Sequence, residues 1–197
     1  MPKSTFFTIS EEKRNKIIKA AEDEFRRSTL DNAKVSNIVR DANISRGSFY
    51  QYFEDIDDVF FYIAESFTLY HEKVFLLLLI EVEGDVFKAI RENFINNFDH
   101  VTNRKRRELF RNIHISMNQK NTEAREIRFK LKDIIKEIVS TIKDYKKLDV
   151  LDKERLLFIL KDIQWRTVHK SFKKHYNLEE ALKELDTNLS IVKNGVE

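Results

Sequence analysis

The chain has 197 residues, 42% of them apolar, and carries 36 Lys or Arg against 33 Asp or Glu, a net charge of +3. That length and apolar content allow one or two domains with real cores. Its 3 Gly and 1 Pro disfavour a turn-rich sheet protein and favour long helices, and the lack of cysteine excludes disulfides, thiol catalysis and thiolate metal sites.

Residues 1–9 read as a frayed, weakly basic arm carrying Lys3. No apolar stretch of signal-peptide length follows. The longest strongly apolar run is Val74 to Ile80, against about 20 residues for a membrane span. A cytoplasmic protein with no membrane partner is expected. Ser10 is placed to cap a first helix, with Glu11 and Glu12 at its positive end. Ile17, Ile18, Ala21 and Phe25 repeat at helical spacing, and the pattern runs to about Arg27. After a loop over 28–32, a short helix is predicted from Lys34 to Ala42, burying Val35, Ile38, Val39 and Ala42. Asn43 then stands where the chain must turn, and Asn tolerates a left-handed backbone. Ser45 can cap the next short helix, Arg46 to Gln51, with Phe49 inward and Tyr52 or Phe53 beside it.

A long helix begins at Asp55, with Asp55, Asp57 and Asp58 in its first turns, and stays in phase toward residue 81. Gly84 marks a break. Further helices are predicted near 85–99, 104–119, 122–146, 152–175 and 178–193. The fold class is all-α: a three-helix helix-turn-helix head at 1–54 and a helical-bundle body at 55–197, about nine helices in all. The penultimate helix is apolar on more than one narrow face and the last one is apolar beside it, which suits a core together with a homodimer interface; the plainer alternative is packing within one chain.

Residues 34–53, KVSNIVRDANISRGSFYQYF, carry the functional signal. Two helices this short need the first helix as support, and such a head leaves its last helix projecting. An α-helix fits the DNA major groove. Ser45, Ser48 and the helix N-terminal amides suit phosphates, and Arg46 suits a guanine edge or a phosphate. Gly47 permits close backbone approach, at a helix cost of about 1 kcal/mol relative to Ala. Tyr50, Gln51 and Tyr52 add hydroxyl and amide groups, and Gln51 suits adenine or the DNA backbone. Lys34 and Arg40 are candidates to hold the flanking backbone. The alternative is an ordinary tight helix junction, with Tyr50, Tyr52 and Phe53 in the core.

Residues 17–62 resemble the head of the TetR family of bacterial transcriptional regulators, through Ala21, Phe25, Leu30, Val35, Ile38, Ala42, Ile44, Val59 and above all the fragment Ser45 to Phe53. The resemblance implies a homodimer whose two heads bind a palindromic double-stranded operator, and a body that holds a small effector and releases DNA when it binds. By family pattern, Tyr50 and Tyr52 fall at phosphate contacts, positions 45, 46 and 48 to 51 surround the groove contacts, and Phe49 and Phe53 are structural. The sequence departs from the pattern at Thr29, Ala33, Lys34, Asn43 and Ile56: the usual cap and hydroxyl before the second helix are missing, and one basic contact is lost at Ile56. Residues 54–66 hold five acids and no base, a flank that repels DNA.

Beyond residue 62 the reading is compositional. The many rings, from Phe60 through Phe75, Phe87, Phe94, Phe98, Phe110, Phe129 and Phe158 to Trp165, fit either a pocket for a small apolar or aromatic effector or simple core filling. The run Arg104 to Arg107 fits an acidic ligand or a solvated helix face. His71, His100, His114, His169 and His175 lack metal-ligand spacing. No cofactor is expected. No phosphate loop, dinucleotide fingerprint or nucleophile elbow is present, so an enzyme is not expected. A helical adaptor that keeps the head without specific DNA binding is the alternative to a regulator.

Overall fold

The computed structural model describes the backbone of residues 1–102, 104–119, 127, 129–145 and 148–196, and side chains there except those of 99–102, 104–107, 110, 114, 118 and 119. Among the described residues the chain is all-α, with no strand. The helices are α1 (Ser4–Thr8), α2 (Glu11–Arg27), α3 (Val35–Asp41), α4 (Arg46–Tyr52), α5 (Ile56–Glu81), α6 (Val86–Thr102), α7 (Arg104–Gln119), α8 (Lys132–Thr141), α9 (Val150–Lys174) and α10 (Leu178–Val196), with a 3-10 turn at Leu30–Asn32. Among the described residues, no helix is long and apolar enough to cross a membrane.

Two of these elements differ from the expectation of about nine helices. Residues 1–9 are not a frayed arm: α1 forms there because Phe6 is fully buried, its ring 4.9 Å from Phe53 and 5.7 Å from Tyr62. Of the helix expected over 122–146, residues 122–126, 128 and 146 lie outside the described residues; Leu131 forms a turn before α8, which stops at Thr141 because Ile142 turns extended and sends the Lys143 N–H to Gly84 O at 2.9 Å.

Packing groups the chain into two units: Met1–Leu69 with Arg104–Lys130, and Tyr70–Asn103 with Leu131–Glu197. In the first unit, α2 buries Ile17, Ala21 and Phe25, positions its periodicity marks, together with Ala20, while Ile18 is half-buried, and Phe25 meets Phe60 of α5 edge-on at 5.1 Å. Ile38, Phe49 and Phe53 complete that core, each fully buried. The turn from α3 to α4 is a Schellman closure: Asn43 is left-handed at φ 52°, and the Ile44 N–H returns to Val39 O at 3.0 Å. The acids after α4 are used by the backbone. Asp55 Oδ1 accepts the Asp58 N–H and Asp58 Oδ2 accepts the Glu54 N–H, both at 2.9 Å, and so start α5.

The second unit packs Leu79, Ile90, Phe94, Ile138, Ile142, Leu157, Leu160 and Leu185 as its centre. Gly84, at φ 76°, closes α5 against the end of α8. A Cβ there would lie 2.3 Å from Thr141 O and 2.8 Å from Lys143 N, a space that only glycine fits. Asp85 then caps α6 through the Lys88 N–H and pairs with Lys143 Nζ at 2.7 Å. Burial raises the Asp85 carboxyl, but the Lys143 ammonium and the Lys88 N–H outweigh it, so the group lies below the ordinary carboxylate value. Asp149 caps α9, His175 ends it in the left-handed conformation, and Asn177 and Glu180 form a reciprocal capping box on α10. Most of the described rings are core filling: Phe60, Phe61, Phe75, Phe87, Phe94 and Phe98 are buried, while Phe129 and Phe158 are exposed.

Candidate nucleic-acid interface

The α4 helix is built from its N-cap outward. Ser45 Oγ accepts the Ser48 N–H at 3.0 Å and lies 2.9 Å from Ser48 Oγ, so both hydroxyls are held at the start of the helix. With seven residues α4 makes two turns, and its sides separate by residue type. Phe49 and Tyr52 face inward and are buried, with Phe53 behind them. Ser45, Arg46, Gly47, Tyr50 and Gln51 are exposed and Ser48 is half-buried. The Arg46 guanidinium lies 5.8 Å from the Tyr50 ring centre, and Nη2 is 3.5 Å from the Tyr50 hydroxyl. A cation and a hydroxyl thus stand together on the open face. Gly47 is not required by the fold. Its φ is ordinary, and an added Cβ would meet only Ser45 Oγ at 3.8 Å.

Two of the residues singled out in the sequence sit differently from the rest. Tyr52 is only 5% exposed. Its ring packs 6.2 Å from Phe6, and Lys13 Nζ lies 5.5 Å from the ring centre, so the side chain supports α4 from beneath instead of facing outward. Arg40 is exposed, but its Nε donates to Asp41 Oδ1 at 2.8 Å, and Arg27 Nη2 donates to Asp41 Oδ2 at 2.8 Å. The hydrogen bonds from Arg40 and Arg27 hold the Asp41 carboxyl below its ordinary value. Lys34 is exposed at the start of α3.

Three structural residues escape the sequence reading. Glu24 of α2 is 2% exposed and takes the place of the missing cap on α3. Its Oε1 accepts the Lys34 N–H at 2.8 Å, Asn37 Nδ2 donates to both oxygens at 3.0 Å, and Arg27 Nη2 donates to Oε2 at 3.0 Å. A charge with this many donors can be buried. Asn112 and Ser116 of α7 bond to the C-terminal end of α2 and to the turn that follows it. Asn112 Nδ2 donates to Phe25 O at 2.9 Å and Arg26 O at 3.2 Å, and Ser116 Oγ accepts the Leu30 N–H at 3.0 Å. Both side chains are buried, so α7 is bonded to the head's own backbone. The only hint in the sequence is a polar residue on the inner face of an amphipathic helix, a signal that names no partner. The side chains of Arg104 to Arg107, Phe110, His100 and His114, considered in the sequence, lie outside the described residues.

A three-helix support with a short helix presenting a cation, hydroxyls and an amide defines a helix-turn-helix regulator. Residues 17–63 match the family described as bacterial regulatory proteins, tetR family, and residues 85–196 match the tetracyclin repressor-like C-terminal domain. The chain belongs to the TetR family of transcriptional regulators. Its fold is shared by a TetR family transcriptional regulator from Chloroflexus aurantiacus (TM-score 0.56, 18% identity, covering 99% of this chain and 98% of that one). It is also shared by the transcriptional regulator FadR from Bacillus subtilis, solved in complex with stearoyl-CoA (0.64, 16%, 93% and 99%). A Clostridium perfringens protein described as a fatty acid metabolism regulator is similar as well (0.61, 20%, 88% and 95%). No curated protein sequence matches significantly.

Proposed function

We propose that this regulator is a repressor that binds a palindromic operator as a homodimer, with α4 of each head in the major groove. Residues 1–54 are the DNA-binding part and 55–197 the effector and dimerisation part. The observation that carries the reading is the division of α4: the side of Phe49 and Tyr52 is buried, while Ser45, Arg46, Tyr50 and Gln51 face outward beside a glycine that the fold does not need. Arg46 and Gln51 are the base-reading candidates; Ser45, Ser48, Tyr50 and the α4 amides meet phosphate; Lys34 and Arg40 flank them. Tyr52 acts as a support.

Dimerisation through α9 and α10 is supported by Leu151, Phe158, Ile159 and Ile191, large apolar side chains 48–68% exposed on these two helices. Two heads then meet half-sites about 34–36 Å apart, or a multiple of that. The effector is a small molecule with a large apolar part. The stearoyl-CoA held by the Bacillus subtilis protein of similar fold makes fatty acyl-CoA the class to test first. Its binding favours a head spacing unsuited to the operator, passed on through α5 and through the bonds of Asn112 and Ser116 to the head backbone.

The test is selection of duplexes from a random library, followed by light scattering and titration with stearoyl-CoA. A palindromic consensus, a dimer mass at micromolar concentration and release of the duplex by stearoyl-CoA are expected. A consensus without symmetry, or a monomer, overturns the dimeric operator reading. An operator affinity unchanged by saturating stearoyl-CoA overturns the choice of effector class.

A further inference from the structure

The α4 helix lacks the usual closing device at its C-terminus. Its C-cap, Phe53, is extended (φ −132°, ψ 150°), so no left-handed residue folds the chain back over the last carbonyls. Donors from the start of the chain take that place. Lys3 Nζ donates to Tyr50 O at 3.0 Å, the Thr5 hydroxyl donates to Gln51 O, and the Lys3 N–H donates to Tyr52 O at 2.8 Å. The ammonium also stands at the negative end of the helix dipole. Phe6 anchors the segment among Phe53, Tyr62 and Tyr52.

The consequence follows from the length of α4. A helix of two turns is not stable alone, so its direction is set by what holds its ends. Ser45 fixes the first turn. Without the donors of Lys3 and Thr5 the last turn would leave three carbonyls to water, and Tyr50 and Gln51, whose own carbonyls are among them, would swing with it. Recognition needs outward side chains held to about 0.5 Å and 10–20°.

The geometry points to α1 and the residues before it as a clasp on α4: Lys3 and Thr5 are positioning residues for operator recognition, acting through the carbonyls of Tyr50 and Gln51 without touching DNA. This rests on the reading of α4 as the groove helix. Lys3 is therefore not a free basic arm, since its ammonium is already bonded within the head.

The experiment uses the full chain with Lys3→Met, which removes Nζ and keeps the backbone N–H, and Thr5→Val, which removes only the hydroxyl. Lys3→Arg and Thr5→Ser keep the donors and serve as rescues. Phe6 stays in place, so the segment remains docked. Amide hydrogen exchange across α4 is measured alongside affinity for the library-selected duplex and for a random duplex over a salt series. The double variant is expected to exchange its α4 amides about tenfold faster and to bind the selected duplex about tenfold more weakly, the loss of one or two bonds to an exposed helix end. Random-duplex affinity and the salt slope stay at parental values, and the rescues restore binding. If Lys3→Met weakens both duplexes alike and lowers the salt slope by about one, Lys3 is a phosphate contact and the clasp is overturned. Parental exchange and affinity in the double variant overturn it too. If the parent selects no duplex at all, the operator reading fails. Hydrogen exchange then decides the clasp alone, with parental α4 rates against it and faster rates for it.

Discussion

Replacing Gly47 by alanine separates what the fold needs from what a ligand needs. The residue sits in the first turn of α4 at an ordinary backbone angle, and the new Cβ would touch only Ser45 Oγ at 3.8 Å, an ordinary contact. Alanine is favoured over glycine in a helix by up to about 1 kcal/mol, less near an end. The variant should therefore be as stable as the parent or more so, with a melting midpoint higher by up to about 2–4 °C for a chain of this size. If α4 lies in a groove, the same methyl group stands between the helix backbone and the DNA. Selected-duplex affinity should then fall by about tenfold or more, about 1.4 kcal/mol of lost contact. Thermal unfolding followed by circular dichroism and fluorescence anisotropy with a labelled duplex read the two effects on one sample. Gain in stability with loss of binding is the expected pair. An alanine variant that binds like the parent would refute the close approach, and one that unfolds at lower temperature would refute the claim that the fold leaves this space open.

Four other perturbations test the supports. Glu24→Ala leaves the Lys34 N–H and the Asn37 amide without their acceptor and should cost about 2–4 kcal/mol in urea unfolding; a loss within error would show that the buried carboxylate is not the cap of α3. Gly84→Ala forces a methyl onto backbone atoms at positive φ and should cost at least about 3 kcal/mol, so a soluble variant of parental stability would contradict the close approach of α8. Asn112→Ala strips the donor from the Phe25 and Arg26 carbonyls and should cost about 1–2 kcal/mol, with faster amide exchange at the end of α2; parental exchange there would remove α7 from the proposed coupling. The Asp85 carboxyl titrates lower in the folded chain than unfolded, so its contribution is present above the unfolded value of about 4 and is lost as pH falls through the folded one. Acid unfolding of Lys143→Met should accordingly begin at higher pH than that of the parent; coincident curves would show that this pair adds no pH-linked stability.

The legible parts of this protein were those written locally. Ser10 and Ser45 announce caps, Asn43 and Gly84 announce turns, and the spacing of Ile17, Ala21 and Phe25 announces a buried stripe, because each signal depends on residues within a turn or two. The caps supplied from afar were not legible. Glu24 on α3, Lys3 and Thr5 on α4, and Asn112 on α2 join backbone groups to side chains that no spacing rule connects. For the same reason residues 1–9 read as frayed: Phe6 and Phe7 are an isolated pair of rings in a polar stretch until Phe53 and Tyr62 are placed around Phe6. Tyr52 shows the limit in another way. A ring with a hydroxyl suits either face of a short helix, and only the positions of Phe6 and Lys13 set it inward. The acids after α4 read in the sequence both as a flank that repels DNA and as the first turns of a long helix, and Asp55 and Asp58 are committed to starting α5.

The reading of α4 as the DNA-contacting helix meets its sharpest trial in the affinity of parent and Arg46→Ala for the library-selected duplex, titrated over a salt series. The parent should bind that duplex far more tightly than a random one and weaken steeply as salt rises. Arg46→Ala should lose about 1–3 kcal/mol on the selected sequence while keeping its fold. Equal binding by the two proteins, or a parent that prefers no sequence, would contradict it.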